Sequence, residues 1–206
     1  MDGWTLLLRR PLCRARYTAG AMTVIIAMLR GVNVGGHNLI KMEELRALCG
    51  KLKLRDVQTY VQSGNLVFRS DERDLAALAK KIESGIEKKF HFRPRVILRK
   101  VAEMRKVIAR NPFANRRGIE PNRLLVTFLA GEPSAEAREE VRAMKTDPEE
   151  MHIDGQEAYI YYPNGMARPK LSWPAVERVL KVTGTARNWN SVTKLLEMAE
   201  KMENTA

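Results

Sequence analysis

The sequence contains few residues that could cross-link the chain or bind zinc. Its two cysteines are Cys13 and Cys49, and neither stands in a CxxC motif or at a cysteine–histidine spacing typical of a zinc site. A disulfide framework is excluded, because it needs several paired cysteines. We therefore expect a protein of a reducing compartment, and we predict that it is cytoplasmic.

Long hydrophobic runs are also missing. The longest apolar stretches are interrupted by Arg or Gly within about ten positions, whereas a helix that crosses a bilayer needs about 20 apolar residues. We therefore predict a soluble protein without a membrane partner.

Residues 1–21 are poor in acidic residues, with four arginines and one aspartate. The apolar piece Leu6–Leu8 is too short for the core of a signal peptide. We predict that residues 1–21 form a disordered extension and that the fold begins at Met22. An organelle transit peptide is the alternative.

Histidine is scarce as well. The three histidines, His37, His91 and His152, share no metal-ligand spacing and have no visible nucleophile as a partner. We predict no metal and no cofactor, and the sequence identifies no catalytic residue.

The positive charge is concentrated in one part of the chain. The formal net charge is +12, and the segment from Lys88 to Arg123 holds twelve Lys and Arg residues against Glu103 and Glu120 alone. Residues 1–21 contribute +3, so the rest of the chain sums to about −1 and is nearly neutral. A basic patch of this kind is typical of proteins that bind anions, nucleic acids among them.

The hydrophobic pattern predicts strands and helices in a repeated order. The first set comprises a strand over 23–29, an amphipathic helix, strands over 57–62 and 66–69, a helix, a strand over 93–100 and a helix. The middle strands are joined through Ser63-Gly64-Asn65. Gly followed by Asn predicts a type II′ hairpin, in which Gly64 takes the positive φ.

The same order returns in the second part of the chain. It comprises a strand over 124–129, a helix capped by Ser134, a hairpin across Asp154-Gly155, a helix, and a last helix over 190–202. Strand, helix, hairpin and helix are typical of a ferredoxin-like layer. We therefore predict an α+β fold of two successive β-α-β-β-α units. They would be duplicated ferredoxin-like halves over 22–114 and 115–206, the second with a C-terminal helix, although no residue-level repeat is visible.

Four motifs follow one another along the chain: RGVNVGG at 30–36, TYVQSGNLVF at 59–68, NPF at 111–113 and TARNW at 185–189. In this combination the sequence resembles the family catalogued as domain of unknown function 1697. The resemblance implies a compact α+β domain and assigns no activity. Where that family commonly reads Leu-Gly-Phe before the second strand, this chain has Leu52-Lys53-Leu54, which removes a glycine suited to a helix C-cap.

The segment 30–36 leaves a strand and enters a helix, and it is the leading candidate for a pocket. Exposed amides at such a turn can hold an anion, and we predict ligand contacts from Arg30, Asn33, Gly35 and Gly36. The P-loop and GxGxxG spacings are absent, so no particular nucleotide is indicated. The alternative is that the glycines only permit a tight turn and close packing.

Two further motifs add candidate ligand contacts. Arg187 and Asn188 precede the last helix, where Arg offers a planar fork of donors and Asn can cap exposed amides. Alternatively, Trp189 anchors the helix while both polar side chains bind local carbonyls. Ser63 and Asn65 flank the predicted turn, and turn geometry alone also explains them.

The strand over 93–100 carries candidate contacts for nucleic acid. Period-two alternation places Arg93, Arg95 and Arg99 on one face. If that face is exposed and Tyr60 projects to the same side, the sheet combines cations with an aromatic ring, as in surfaces that bind single strands. The RRM signature is missing. The alternatives are a solvated basic surface and a contact between the two halves.

These observations favour a binding protein for an anionic ligand, and RNA or single-stranded DNA is the leading hypothesis. One alternative is an enzyme that acts on a small phosphorylated or carboxylated substrate held by the glycine-rich segment and Arg187. Another is a protein-interaction module whose basic face meets an acidic partner. The sequence leaves catalysis and the oligomeric state open.

Overall fold

The computed structural model describes residues 22–205, so the predicted extension over residues 1–21 lies outside the described residues. The first set of elements is β1 Thr23–Leu29, α1 Met42–Lys51, β2 Arg55–Tyr60, β3 Asn65–Ser70, α2 Leu75–Phe90, β4 Val96–Lys100 and α3 Val101–Ala109. The second set is β5 Leu124–Leu129, α4 Ala135–Arg142, β6 Glu150–Asp154, β7 Glu157–Tyr161, α5 Trp173–Leu180, β8 Gly184–Asn188 and α6 Trp189–Glu203.

The strands form two antiparallel sheets with the same topology, β2-β3-β1-β4 and β6-β7-β5-β8. The predicted α+β fold of two successive related units is confirmed. Strand β8 is missing from the prediction, because Gly184-Thr185-Ala186-Arg187-Asn188 has no apolar alternation. It forms by pairing with the apolar strand β5, from Leu125 opposite Asn188 to Leu129 opposite Gly184.

The helices divide the interior into three cores. Helices α1 and α2 cover the outer face of the first sheet, and α4 and α5 cover the outer face of the second. Helices α3 and α6 lie between the inner faces of the sheets, in a central core that includes Ile26, Phe128 and Leu195. Helix α6 packs on β1 and β3 as well as on β5 and β8. The two units are therefore joined through a shared hydrophobic core. None of the helices within residues 22–205 is long and apolar enough to cross a membrane.

The loop between β2 and β3 differs from the predicted hairpin. Tyr60 pairs with Asn65, so the loop contains the four residues 61–64, and the prediction of a two-residue type II′ turn is wrong. Gly64 does take a positive φ, of 69°. Asn65 is part of β3, where it pairs with Met28 and Tyr60. Its side chain is buried and donates to Tyr60 O and to Ser63 Oγ.

The end of helix α1 shows the effect of the missing glycine. Lys53 N donates to Gly50 O and Leu54 N donates to Cys49 O, which is the hydrogen-bond pattern of a Schellman motif. Lys53 occupies the left-handed position of this motif, with a φ of 65°. A lysine is strained there, whereas glycine is not.

We expect Lys53→Gly to raise the free energy of unfolding by about 1 kcal/mol, because it removes this strain from an exposed residue. In thermal denaturation the gain corresponds to roughly 2–4 °C for a domain of this size. Lys51→Gly is the matched control, since Lys51 is the last residue of α1 and glycine at a helical position should destabilise the helix. An unchanged or lower Tm for Lys53→Gly would contradict the prediction.

Candidate functional site

Arg187 joins the second unit to the first. Its guanidinium is buried on β8, and each of its nitrogens donates to an acceptor of the protein. The acceptors are Asn65 Oδ1, Thr185 Oγ1 and the carbonyl oxygens of Leu29, Ser63 and Ala186. The side chain therefore connects β8 to the end of β1 and to the loop before β3, and its five N–H groups are all used.

Arg99 makes the equivalent contacts from the first unit to the second. It lies one residue before the N-cap of α3, as Arg187 lies one residue before the N-cap of α6. Its guanidinium donates to Glu157 at 2.9 Å and to the carbonyl oxygens of Leu98, Leu129 and Gln156. Leu129 ends β5 as Leu29 ends β1, and Glu157 begins β7 as Asn65 begins β3. This reciprocity is expected of an approximate internal twofold, and it reveals the residue-level repeat that the sequence does not show.

The two arginines differ in their counter-charge. Arg99 forms an ion pair with Glu157, whereas at the equivalent place Arg187 meets the neutral Asn65. Within residues 22–205, no carboxylate forms an ion pair with Arg187, and burial lowers its pKa to about 10. The guanidinium is still charged at neutral pH. A buried charge without a counter-ion is costly in free energy, so this arrangement is not explained by stability alone.

A cleft of about 280 Å³ opens above Arg187, and we call it the junction cleft. Its polar lining comes from Ser63, Arg187, Asn188 and Ser191, and its apolar lining from residues that include Leu29, Val32, Val34, Leu125 and Met166. Val34 and Met166, which both line the cleft, are 63% and 48% exposed and are among the few large apolar side chains exposed within residues 22–205. The volume is just below the usual range of small-molecule sites, about 300–1,000 Å³, so only a small ligand would fit.

The N-terminus of α6 opens on the junction cleft. Asn188 caps this helix, and its side chain accepts from Ser191 N at 3.0 Å. In α3 the residue equivalent to Ser191 is Glu103, whose carboxylate accepts from Lys100 N at 2.7 Å. The positive end of α3 is therefore next to a carboxylate of the protein, while the positive end of α6 faces a cleft without one among the described residues.

The equivalent cleft beside α3 has a different chemical character. It has a volume of about 200 Å³, and its lining includes Arg99, Glu103, Lys106, Arg110, Glu132 and Glu157. The two clefts lie at equivalent places in the fold, because each is lined by one of the two arginines that connect the units. The apolar, carboxylate-free lining of the junction cleft is therefore not a requirement of the fold.

The structure brings together part of the predicted ligand set. Ser63, Arg187 and Asn188 line the junction cleft, and Asn65 lies beneath it against Arg187. Asn33 does not line it, because its side chain bonds to Ile40 and Gln62 and holds the segment 30–40 in place. Gly35 and Gly36 form an exposed turn with positive φ. The alternative that Trp189 helps to anchor α6 agrees with its packing against the central core.

Several lining residues are absent from the prediction. Val34, Leu125 and Met166 are apolar, and Ser191 is an ordinary helix residue, so none has a chemical signature in the sequence. Arg30 lies outside this lining and forms a two-point ion pair with Glu177, at 2.5 and 2.9 Å. Within the part of the chain that the structure describes, no group of His, Cys, Asp and Glu residues is arranged to hold a metal ion.

The predicted nucleic-acid face is not exposed. The alternation along β4 is as predicted, but Ile97 lies in the central core and Arg99 is buried against the second unit. The prediction of an exposed platform is wrong, because this face of the sheet is apolar and is covered by α3, α6 and the second sheet. Tyr60 is also partly buried there, and its strand β2 and β4 form opposite edges of the sheet.

The basic segment is largely compensated by acidic side chains. Arg93 and Arg95 precede β4 and lie near Glu83. Seven of the twelve cations between residues 88 and 123 form ion pairs, namely Arg93, Arg95, Arg99, Arg105, Arg110, Arg116 and Arg123. Their carboxylates come mainly from other parts of the chain. The positive charge that is concentrated in this segment of the sequence is therefore largely neutralised by nearby carboxylates in the folded protein.

The fold and the junction cleft define an α+β protein of two related units with a cleft of small-molecule size between them. The chain belongs to the family described as protein of unknown function (DUF1697), whose model matches residues 22–159. No curated protein matches the sequence. Among solved structures, the chain is similar to the conserved bacterial protein SP0830 from Streptococcus pneumoniae, with 22% identity and a TM-score of 0.65. The similarity covers 87% of this chain and 99% of that one, and it shows a shared fold.

Proposed function

We propose that this protein binds a small organic anion in the junction cleft. A single carboxylate or phosphate group would lie near the N-terminus of α6, above Arg187, and a short apolar body would contact Val34, Leu125 and Met166. One observation carries the proposal. Arg187 is a buried cation without a carboxylate partner among residues 22–205, at the floor of an apolar cleft, whereas its equivalent Arg99 has Glu157.

The ligand would supply the counter-charge that Arg187 lacks. Because all five N–H groups of Arg187 already donate within the protein, its contribution would be electrostatic attraction over a short distance. Hydrogen bonds to the anion would come from the side chains of Ser63, Asn188 and Ser191, which line the cleft. The positive end of α6 would add to the attraction.

The same geometry favours binding over catalysis. The junction cleft contains two serine hydroxyls, but among residues 22–205 its lining includes no histidine, lysine or carboxylate that could act as a general base. An enzyme for a small phosphorylated or carboxylated substrate is therefore the less favoured hypothesis. Binding of RNA or single-stranded DNA stays a prediction, and a cleft of about 280 Å³ suits a small molecule better than an extended strand.

We also propose that the protein acts in the cytoplasm. Cys49 is a buried thiol, and burial raises its pKa to about 12. It is therefore a protonated, unreactive packing residue, which is compatible with a reducing compartment.

Ser191→Glu should abolish anion binding, because it places a carboxylate at the position that Glu103 occupies in α3. We would measure the thermal shift of the full chain with phosphate, acetate, butyrate and octanoate. For the parent protein we expect a saturable rise in Tm with at least one of these probes, and for Ser191→Glu a Kd at least about tenfold higher, since like charges repel. Ser191→Gln, which has the same size without the charge, should bind within about threefold of the parent.

The fold of Ser191→Glu should remain intact, because the new carboxylate recreates the cap seen in α3 and can add about 0.5–1 kcal/mol of stability. A loss of binding is then separable from unfolding. If Ser191→Glu binds the probe as tightly as the parent, or if the parent shows no saturable shift with any of the four anions, the proposal is wrong.

A further inference from the structure

A second and wider cleft lies where the ends of the two sheets meet, and we call it the axial cleft. It has a volume of about 640 Å³ and is open to solvent. Its lining includes three cationic side chains, those of Arg30, Arg95 and Lys181, together with Ala130, Gly131 and Thr183. No acidic residue is part of this lining among the described residues.

The axial cleft is lined by equivalent backbone positions of the two units. Arg30 N donates to Arg95 O at 2.9 Å, and Ala130 N donates to Thr183 O at 2.9 Å. Arg30 follows β1 as Ala130 follows β5, and Arg95 and Thr183 each precede the last strand of a sheet by one position. The backbone is therefore equivalent on both sides, but one side has two arginines where the other has alanine and threonine. The fold does not require these cations.

The three cations contribute in different ways. Arg30 is oriented by its two-point ion pair with Glu177, whose carboxylate also accepts from Gly184 N at 2.7 Å. Arg95 is 56% exposed, and its guanidinium is 4.0 Å from Glu83, beyond hydrogen-bond distance. Lys181 is exposed at the C-cap of α5, and it forms no ion pair within residues 22–205. Lys181 therefore supplies uncompensated charge, and Arg95 supplies an exposed guanidinium whose carboxylate partner, Glu83, is shared with Arg93. Arg30 supplies a fixed donor beside them.

We propose that the axial cleft binds a ligand with two adjacent phosphate groups, that is, a diphosphate. Several cations around one open cavity match the charge of a diphosphate better than that of a monoanion, and arginine and lysine are the usual phosphate ligands. The described lining has no aromatic ring, so recognition rests on charge and hydrogen bonds rather than on stacking. This site is separate from the junction cleft, with which it shares no lining residue.

Pyrophosphate is the probe, and isothermal titration of the full chain at two salt concentrations is the measurement. We expect saturable binding that weakens at the higher salt and is at least about tenfold tighter than the binding of inorganic phosphate. The double variant Arg95→Ser, Lys181→Ser should weaken pyrophosphate binding at least about tenfold, because it removes two exposed cations from the lining. Arg73→Ser, Lys145→Ser is the matched control, since it removes one exposed arginine and one exposed lysine outside the cleft.

Each contrary outcome overturns the assignment. An absence of saturable pyrophosphate binding would do so, as would equal weakening in the two double variants, which would indicate attraction by net charge alone. Ser191→Glu separates the two clefts: it should leave pyrophosphate binding unchanged, and binding lost in that variant but retained in Arg95→Ser, Lys181→Ser would place the probe in the junction cleft. A single-stranded oligonucleotide that depends on Arg95 and Lys181 while pyrophosphate does not bind would likewise overturn the diphosphate assignment.

Discussion

Replacing Glu157 with Leu should lower the free energy of unfolding by about 3–5 kcal/mol, because it leaves the charge of Arg99 buried without its partner. The two side chains are 15% and 8% exposed, and their ion pair crosses between the units. Burial raises the pKa of the Glu157 carboxyl, while the charge and hydrogen bond of Arg99 act in the opposite direction. Urea denaturation would measure the loss as a lower midpoint with an unchanged slope.

Two further variants separate the charge from the packing. Glu157→Gln keeps an acceptor for Arg99, as Asn65 does for Arg187, so its cost should be smaller, about 1–2 kcal/mol. Combining Arg99→Met with Glu157→Leu removes both charges and should recover most of the stability lost in the single variant. If Glu157→Leu unfolds at the same urea concentration as the parent, the carboxylate partner of Arg99 does not stabilise the protein. The missing partner of Arg187 would then not be evidence for a ligand.

Gly64→Val should destabilise the protein by about 3 kcal/mol or more, for two independent reasons. The backbone at Gly64 has a φ of 69°, where β-branched residues are strongly disfavoured. A Cβ atom there would also lie 2.8 Å from Leu29 Cβ, too close for van der Waals contact. Leu29 is buried in the core and cannot move away without disturbing β1. Thermal and urea denaturation both report this loss.

Gly155→Val is the matched control for Gly64→Val, because it isolates the backbone term. Gly155 also has a positive φ, of 57°, but a Cβ atom there would meet nothing within 4 Å. Its substitution should cost about 1–2 kcal/mol, the strain of the backbone alone. Equal losses at the two positions would show that the contact between residue 64 and Leu29 does not matter.

The contrast between Arg99 and Arg187 connects these stability tests to function. Both arginines connect the units through equivalent acceptors, so they occupy the same structural position in their two units. Only one has a carboxylate partner among the described residues. We regard the uncompensated side as the one adapted for ligand, since a protein selected for stability alone would gain by pairing or removing a buried charge.

The amino-acid sequence by itself determined the order and type of most elements. Strands β1 and β5 occupy the predicted residues, and Ser134 caps α4 by accepting from Ala137 N as expected. These features depend on local rules, namely an apolar run bounded by turn residues and a hydroxyl before the first helical turn. Of the candidate ligand contacts chosen from the motifs, Ser63, Arg187 and Asn188 line the junction cleft, whereas Arg30 and Asn33 do not.

The tertiary structure alone decided which face of each sheet is buried and what each arginine does. Period-two alternation separates the two faces of β4, but it cannot say whether the face with Ile97 and Arg99 meets water or a second sheet. Strand β8 also lacks a local signal, because its pairing energy comes from β5, some 60 residues earlier in the chain. The same limit applies to the clefts. Whether the arginine in each cleft has a carboxylate partner depends on which residue of the other unit contacts it, Glu157 for Arg99 and Asn65 for Arg187. Such a long-range contact is set by packing rather than by neighbouring residues in the sequence.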